Sequence, residues 1–524
     1  MRAINLLFLF VLIFCLTGLN GSAQNQPNIL LIIADDLGID GLEGYDLGVT
    51  AANTPTLDSL RDEGITYINA WATPQCAPTR SSIISGKYGV KNGVRMVPGN
   101  LGLEHESIFT YLDRVTSNAY ASAVIGKWHI ANPANVRHIS NHGVVYFEGV
   151  LGGGVNDYFR WEKTEDGQEV IINEYVTTHL TNSAIDWISN QDQPWFLWLS
   201  HLAPHQPLHI PPAELYTGSE PITNRQMFLA AVEALDYEIG RLLHSMDEVT
   251  RDNTFIVFVG DNGTPRSVLS GFPASHGKGS LYEGGLRIPF FVSGNGVTRT
   301  GQQETGLVQV NDLYATIIEL VSNDLQGGIY NSYSLMPSLR RRNQIERSYI
   351  YADYIDEDVE VWAVRNQDYK LILNEFGDRE FYDLRDNINE DQNIIRNLSP
   401  QQESILAELE AEASDIRAGW SCQDLIMNGE EESIDDCGLS STQDIEPLFA
   451  VEFYPNPASE IILLDVQGAV RYEVTLMDYT GKQILSHANP KQIELTGIAA
   501  GLYMIEILDL NSRQKLSQSI IVSK

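Results

Sequence analysis

The sequence predicts an α/β fold of the doubly wound kind, with its chemistry gathered along one edge of a central sheet. Asn28–Ala34 (NILLIIA), Trp195–Ser200 (WFLWLS) and residues 254–259 (TFIVFV) are continuous apolar runs of strand length, the pattern of strands buried on both faces. Each run breaks off into polar residues: Asp35-Asp36, then His201 to Pro207, then Gly260-Asp261-Asn262-Gly263. Helical patterns, such as the amphipathic stretch 227–246, lie between strands. Strand and helix therefore alternate, and the candidate functional residues collect at strand carboxyl ends.

Ahead of the first strand, Arg2 precedes an apolar run over residues 6–16, and Gly21-Ser22-Ala23 stand before Gln24. This order reads as a secretory signal peptide, residues 1–23, because the run is too short to span a bilayer. Lipidation at Cys15 is set aside, since bulky Phe14 stands where a small residue is expected. No later stretch approaches the ~20 apolar residues of a membrane helix, so no integral membrane segment is expected.

Taken in order, the strand at 28–34 delivers Asp35 and Asp36, two adjacent carboxylates that repel unless a cation sits between them. Taken alone, they would also serve as a solvated turn with a capping Asp. Thr54-Pro55 reads as the N-cap and first position of a helix running to about Glu63. Cys76-Ala77-Pro78-Thr79-Arg80, followed by Ser81-Ser82-Ile83-Ile84-Ser85-Gly86, puts Cys76 at the start of a second helix. There it faces free backbone N–H groups and the positive helix end, a place suited to chemistry on an anion. For the cysteine by itself, a buried loop thiol is the plainer reading.

Residues 121–126 form another buried strand, which runs into Gly126-Lys127-Trp128-His129. Lys127 and His129 project to one side if the chain stays extended, although singly they read as a surface lysine and a core histidine. After the strand at 195–200, the prolines of Ala203-Pro204-His205-Gln206-Pro207 fix an irregular loop, where a polar side chain such as His205 is placed to act. His201 is read as lining the pocket. Asp261 and Asn262 add hard oxygen ligands to those of Asp35 and Asp36, a set suited to Ca²⁺, or Mg²⁺, rather than zinc. Further on comes Gly277-Lys278-Gly279-Ser280-Leu281-Tyr282-Glu283-Gly284-Gly285-Leu286-Arg287-Ile288-Pro289.

Residues 346–420 read as a smaller α/β unit, with extended segments at 349–354, 360–365 and 370–373 and a helix over 401–413. Residues 421–448 are an acidic, aperiodic linker. In an exported chain its Cys422 and Cys437 form a natural disulfide, worth roughly 3 kcal/mol or less; two free thiols are the alternative. Residues 449–524 alternate as strands at 461–466, 472–477, 492–495 and 502–508 with a hairpin turn at 479–482, an all-β sandwich for which carbohydrate binding is one reading.

Asp35-Asp36-Leu37-Gly38, Cys76-Ala77-Pro78-Thr79-Arg80, Gly126-Lys127-Trp128-His129, Pro204-His205 and the stretch from Gly277 to Pro289 together resemble the formylglycine-dependent sulfatases, in that family's order. The resemblance implies a doubly wound mixed sheet of alkaline phosphatase/sulfatase type over residues 24–345, with a small antiparallel sheet in 346–420. It implies that a maturase oxidises Cys76 to formylglycine, whose hydrate attacks sulfur. A divalent metal would be held by Asp35, Asp36, Asp261, Asn262 and residue 76. Arg80 and Lys127 would fix the modified residue and Lys278 the sulfate; His205 would protonate the leaving alcohol and His129 take the proton of the second hydroxyl. At the other end, Pro455-Asn456-Pro457, Gly501-Leu502-Tyr503 and the final lysine resemble the type IX secretion sorting domain of Bacteroidetes, which implies that machinery as a partner and secretion or surface display.

The expected activity is hydrolysis of sulfate esters in a sulfated carbohydrate, of algal origin if the habitat is marine. The alternatives are a phosphatase or phosphonate monoester hydrolase of the same superfold, and an inactive surface binding protein. A net charge of −35 argues against nucleic-acid binding and repels a polyanion at long range. At a Debye length below ~8 Å in a saline medium, however, a few cations at the site decide binding.

Overall fold

A computed structural model describes residues 26–418 and 450–522, apart from short segments such as 132–136, 323–327 and 455–460. The signal peptide, the acidic linker with Cys422 and Cys437, Pro455 to Pro457 and the turn at 479–482 lie outside the described residues. The chain divides into two compact units between residues 437 and 438.

The first unit is built on ten strands: β1 (Asn28–Ala34), β2 (Gly64–Trp71), β3 (Ala121–Lys127), β4 (Tyr146–Val150), β5 (Trp161–Glu165), β6 (Gln168–Ile172), β7 (Trp195–Ser200), β8 (Thr254–Gly260), β9 (Phe290–Gly294) and β10 (Gln302–Gln309). They lie in the order β10-β2-β9-β8-β1-β7-β3-β4-β5-β6. β8, β1, β7 and β3, the strands whose ends carry the motifs, are adjacent and mutually parallel. Their carboxyl ends therefore open at one edge, the place where such sheets bind ligands. The sheet is mixed because β9 runs antiparallel between β2 and β8, and β5 and β6 close the far edge antiparallel.

Alternation along β1 shows the double winding. Ile29, Leu31 and Ile33 pack into one core with residues of α2 (Cys76–Ser85), α3 (Ile108–Thr116) and α6 (Asp312–Ser322). Leu30, Ile32 and Ala34 pack into another with residues of α1 (Pro55–Asp62), α4 (Val176–Ser189) and α5 (Asn224–Ser245). Each buried Leu or Ile contributes about 2 kcal/mol of transfer free energy, which is why the strand has no polar face. A capping box of Thr223 and Gln226 starts α5. At α1 the expected cap differs: Thr54 makes no side-chain bond, and Asp236 of α5 accepts the N–H groups of Thr56 and Leu57 at 3.1 and 2.7 Å.

A short ribbon, β11 (Gly328–Ile329) and β12 (Ser332–Tyr333), precedes an antiparallel meander of β13 (Ile350–Asp356), β14 (Val359–Arg365), β15 (Tyr369–Asn374) and β16 (Arg379–Asp383). Leu406, Leu409 and Ala413 of α7 (Pro400–Arg417) pack with Tyr351, Val364, Leu371 and Phe381 of that sheet. The second unit is all-β. β17 (Ala450–Tyr454), β18 (Ile461–Gln467) and β21 (Gln492–Glu494) form one antiparallel sheet; β19 (Tyr472–Asp478), β20 (Gln483–Ala488), β22 (Gly501–Asp509) and β23 (Lys515–Val522) form another. Among the described residues, no helix is long and apolar enough to cross a membrane.

Candidate active site

At the carboxyl edge, three carboxylates meet three cations, one for each. Lys127 Nζ donates to Asp35 Oδ2 at 2.6 Å, Lys278 Nζ donates to Asp36 Oδ1, and Arg80 donates through Nε and Nη2 to Asp261 Oδ2 at 3.1 and 2.8 Å. β1 ends at Ala34, and Asp36 turns the chain with a φ of 70°, while its N–H binds Asp261 Oδ1 at 3.0 Å. Asn262 Nδ2 donates to Asp36 Oδ1 at 2.8 Å, so the ends of β1 and β8 are tied side chain to side chain. Burial works against the charge on Lys127, yet Asp35 and the neighbouring Cys76 together push its pKa up.

Cys76 is the first residue of α2 and is buried. Its Sγ lies 3.2 Å from His129 Nδ1, and burial raises its pKa. Burial, with Lys127 and Arg80 close by, lowers the pKa of His129 to about 2, so the ring is uncharged. His205 hydrogen-bonds Gln206 O through Nδ1 at 2.7 Å, which leaves Nε2 pointing toward Asp36 Oδ2 at 3.7 Å. Tyr158 fixes this loop by donating to the carbonyl oxygens of Leu202 and His205, each at 2.7 Å.

Two oxygens of this cluster, Asp35 Oδ1 and Asn262 Oδ1, are buried with no hydrogen-bond partner among the described residues. An unsatisfied buried acceptor costs about 1–3 kcal/mol, and a bound cation would remove that cost at each oxygen it meets. Asp35, Cys76 and Asp261 offer ligand atoms within 4.8 Å of one another, as do Asp35, Asp36 and His205. The donor set is dominated by hard oxygen, so the residues fit Ca²⁺ or Mg²⁺.

The structure thus brings Asp35, Asp36, Cys76, Arg80, Lys127, His129, His205, Asp261, Asn262 and Lys278 to one site, but two expectations change. Lys127 and His129 do not converge through extended chain. Gly126 has a φ of 108° and His129 one of 56°, and a Cβ on Gly126 would lie 1.9 Å from Ser200 O, so the backbone bends against β7. His201 lines no open pocket: it is 0% exposed, and burial takes its pKa down to about 3. Two participants had no motif to announce them. Ser200 Oγ accepts a hydrogen bond from Arg80 Nη1, and the loop at Gly153 and Gly154 approaches both histidines.

Residues 27–323 match the sulfatase family, residues 274–419 the C-terminal domain of N-sulphoglucosamine sulphohydrolase, and residues 452–523 a secretion system C-terminal sorting domain. Arylsulfatase J of Mus musculus is 28% identical over 337 residues, 59% of this chain and 54% of its own length. N-acetylgalactosamine-6-O-sulfatase of Bacteroides thetaiotaomicron is 26% identical over 422 residues, 63% of this chain and 80% of its own. The crystal structure of Ps i-CgsB in complex with k-i-k-neocarrahexaose is 22% identical, covers 79% of this chain and 100% of that one at a TM-score of 0.63, and shares the fold. The chain belongs to the sulfatase family, the sulfuric ester hydrolases of this fold. Its sorting domain marks it for type IX secretion to the cell surface or beyond.

Proposed function

We propose that the protein is an exported sulfatase that hydrolyses sulfate esters of polysaccharides or their oligosaccharides, with residue 76 as nucleophile. The observation that carries this is the placement of Cys76 at a helix start, 3.2 Å from an uncharged His129 and within 4.8 Å of carboxylate oxygens of Asp35 and Asp261. We take residues 24–345 and 346–420 as the catalytic parts, 421–448 as linker and 449–524 as the sorting domain, preceded by a signal peptide.

Matured to formylglycine, residue 76 supplies an aldehyde hydrate as nucleophile, and a bound Ca²⁺ or Mg²⁺ supplies a Lewis acid for the sulfate oxygens. Asp35, Asp36, Asp261 and Asn262, with residue 76, would hold that cation. Arg80 and Lys127 orient residue 76, and Lys278 holds the sulfate and the charge that develops on it. His129 takes a proton from residue 76 at Nδ1. The Nδ1 bond to Gln206 O leaves His205 Nε2 as the atom that protonates the departing alcohol.

Charge explains how so acidic a chain would bind an anion. The three carboxylates are matched by Arg80, Lys127 and Lys278, so a divalent ion would leave the pocket with a local excess of two positive charges. Carbohydrate as the substrate class is supported by the name of the Bacteroides relative, by the neocarrahexaose in the Ps i-CgsB complex and by export to where polysaccharides lie.

The test is enzyme coexpressed with a formylglycine-forming maturase and assayed on sulfated oligosaccharides beside phosphate esters. The peptide containing residue 76 should have lost sulfur and gained oxygen, and chelation should abolish sulfate release until Ca²⁺ is returned. An intact thiol in fully active enzyme, or turnover of phosphate esters alone, would overturn the reading.

A further inference from the structure

The loop after β4 connects the catalytic histidines to a groove that the family motifs do not describe. A Cβ on Gly153 would lie 3.0 Å from His129 Nε2, and one on Gly154 would lie 3.2 Å from His205 Nδ1, so this loop sits directly on both rings. Beyond it opens a cavity of about 470 Å³, lined by Leu151, Gly152, Gly154, Arg160, Glu162 and Ile171 among others. Gly154 belongs both to the lining of this groove and to the loop that touches His205, so the groove borders the residue past which a sugar on the departing oxygen has to lie.

Arg160 is the one cation among the residues that line the groove, and it is exposed. Its backbone N–H is held by Asp157 Oδ1 at 3.3 Å, alongside that of Phe159 at 2.7 Å, so the turn presents the side chain. No carboxylate or other acceptor among the described residues takes up its guanidinium, whereas those of Arg80, Arg225 and Arg241 are each held by an acceptor. The wall that carries it is anchored: Lys163 of β5 reaches Glu148 of β4 and Glu165, each at 2.8 Å. Asp157, Glu162 and Glu169 line the same groove, so the uncommitted guanidinium of Arg160 is the group there that can receive an anion.

Resting on the sulfatase reading above, we propose that this groove is the subsite for the sugar joined to the one that loses sulfate. Arg160 binds an anionic group, a second sulfate or a carboxylate, on that neighbouring sugar. The substrate class is then a polyanionic oligosaccharide rather than an isolated sulfate ester, and Arg160 is a specificity-determining residue.

The experiment compares wild type with Arg160→Gln, both matured and Ca²⁺-loaded. The probes are ι-carrageenan oligosaccharides, in which both sugars carry sulfate, chondroitin 6-sulfate oligosaccharides, in which the neighbour carries a carboxylate, and 4-methylumbelliferyl sulfate, which has no second sugar. Loss of one charge-assisted contact should weaken binding of the preferred oligosaccharide about ten- to a hundredfold, read as KM and by calorimetry, with kcat and the aryl ester unchanged. Which oligosaccharide responds distinguishes sulfate from carboxylate. Equal affinity of the two proteins for both oligosaccharides, whether tight or absent, overturns the proposal. Failure of wild type on every sulfate ester would instead remove the sulfatase reading, and calorimetry still reports on Arg160 in that case.

Discussion

Lys127 Nζ stands 2.6 Å from Asp35 Oδ2, and both side chains are 0% exposed. Removing one partner of such a pair strands the other charge, at a cost of about 3–5 kcal/mol. Lys127→Met should therefore melt well below wild type in chelator. If Asp35 meets the metal, Ca²⁺ takes over the neutralising role and raises the melting temperature of the variant more than that of wild type. Equal Ca²⁺ shifts in the two proteins would separate Asp35 from the ion.

Lys278 differs in being reachable, at 23% exposure, while its ammonium still holds Asp36. Lys278→Ala should lower turnover about a hundredfold, as expected for loss of one contact to developing charge, worth on the order of 3 kcal/mol. Because Asp36 loses its cation, a fall in melting temperature is expected in chelator and should vanish with Ca²⁺. Near-normal turnover would place Lys278 outside the chemistry.

A Cβ on Gly153 would stand in tight contact with His129, 3.0 Å from Nε2. Gly153→Ala must push the ring by a few tenths of an ångström, so kcat on a small aryl sulfate should fall about tenfold with little change in KM. Unchanged kcat would mean that the ring position does not govern proton transfer from residue 76.

Glu148 gives a pH prediction away from the site. Burial would raise its pKa, but hydrogen bonds from His179, Lys163, Ser183 and Tyr146 hold it at about 2, against an ordinary 4.5. A folded value below the unfolded one contributes stability above pH 4.5 that is lost as pH falls toward 2. His179 is shifted upward, first by its hydrogen bond to Glu148, and its share is lost as pH rises through its folded value. Denaturant unfolding of Glu148→Gln should show a penalty on the order of 2–3 kcal/mol near pH 6, shrinking steadily below pH 4.5. A penalty independent of pH would assign the effect to shape rather than charge.

The sequence was most readable where local pattern and chemistry coincide. β1, β7 and β8 are unbroken apolar runs because helices cover both faces, and each ends in the residues of the site, so their positions and their shared edge could be read directly. α2 was marked by Cys76 and Pro78, and the helix read over 401–413 falls inside α7. What stayed hidden depends on contacts across long separations. Nothing local shows that β2 pairs with both β9 and β10, or that β9 runs antiparallel and makes the sheet mixed. The left-handed backbone at His129 and the packing of Gly126 against Ser200 are set by the tertiary fold and have no local signal. Ser200 ends an apolar strand and gives no sign that Arg80 will reach it, and the glycines at 152–154 look like any flexible loop.

The one-to-one matching of Asp35, Asp36 and Asp261 with Lys127, Lys278 and Arg80 bears on when the enzyme needs its ion. Three bare carboxylates in a buried pocket would repel one another, and the chain could not close around them until metal arrived. Here each carboxylate already has a cation of the chain's own beside it, so the pocket's charge balance does not depend on an ion, and a divalent ion would act as added positive charge facing the substrate rather than as the glue of the fold.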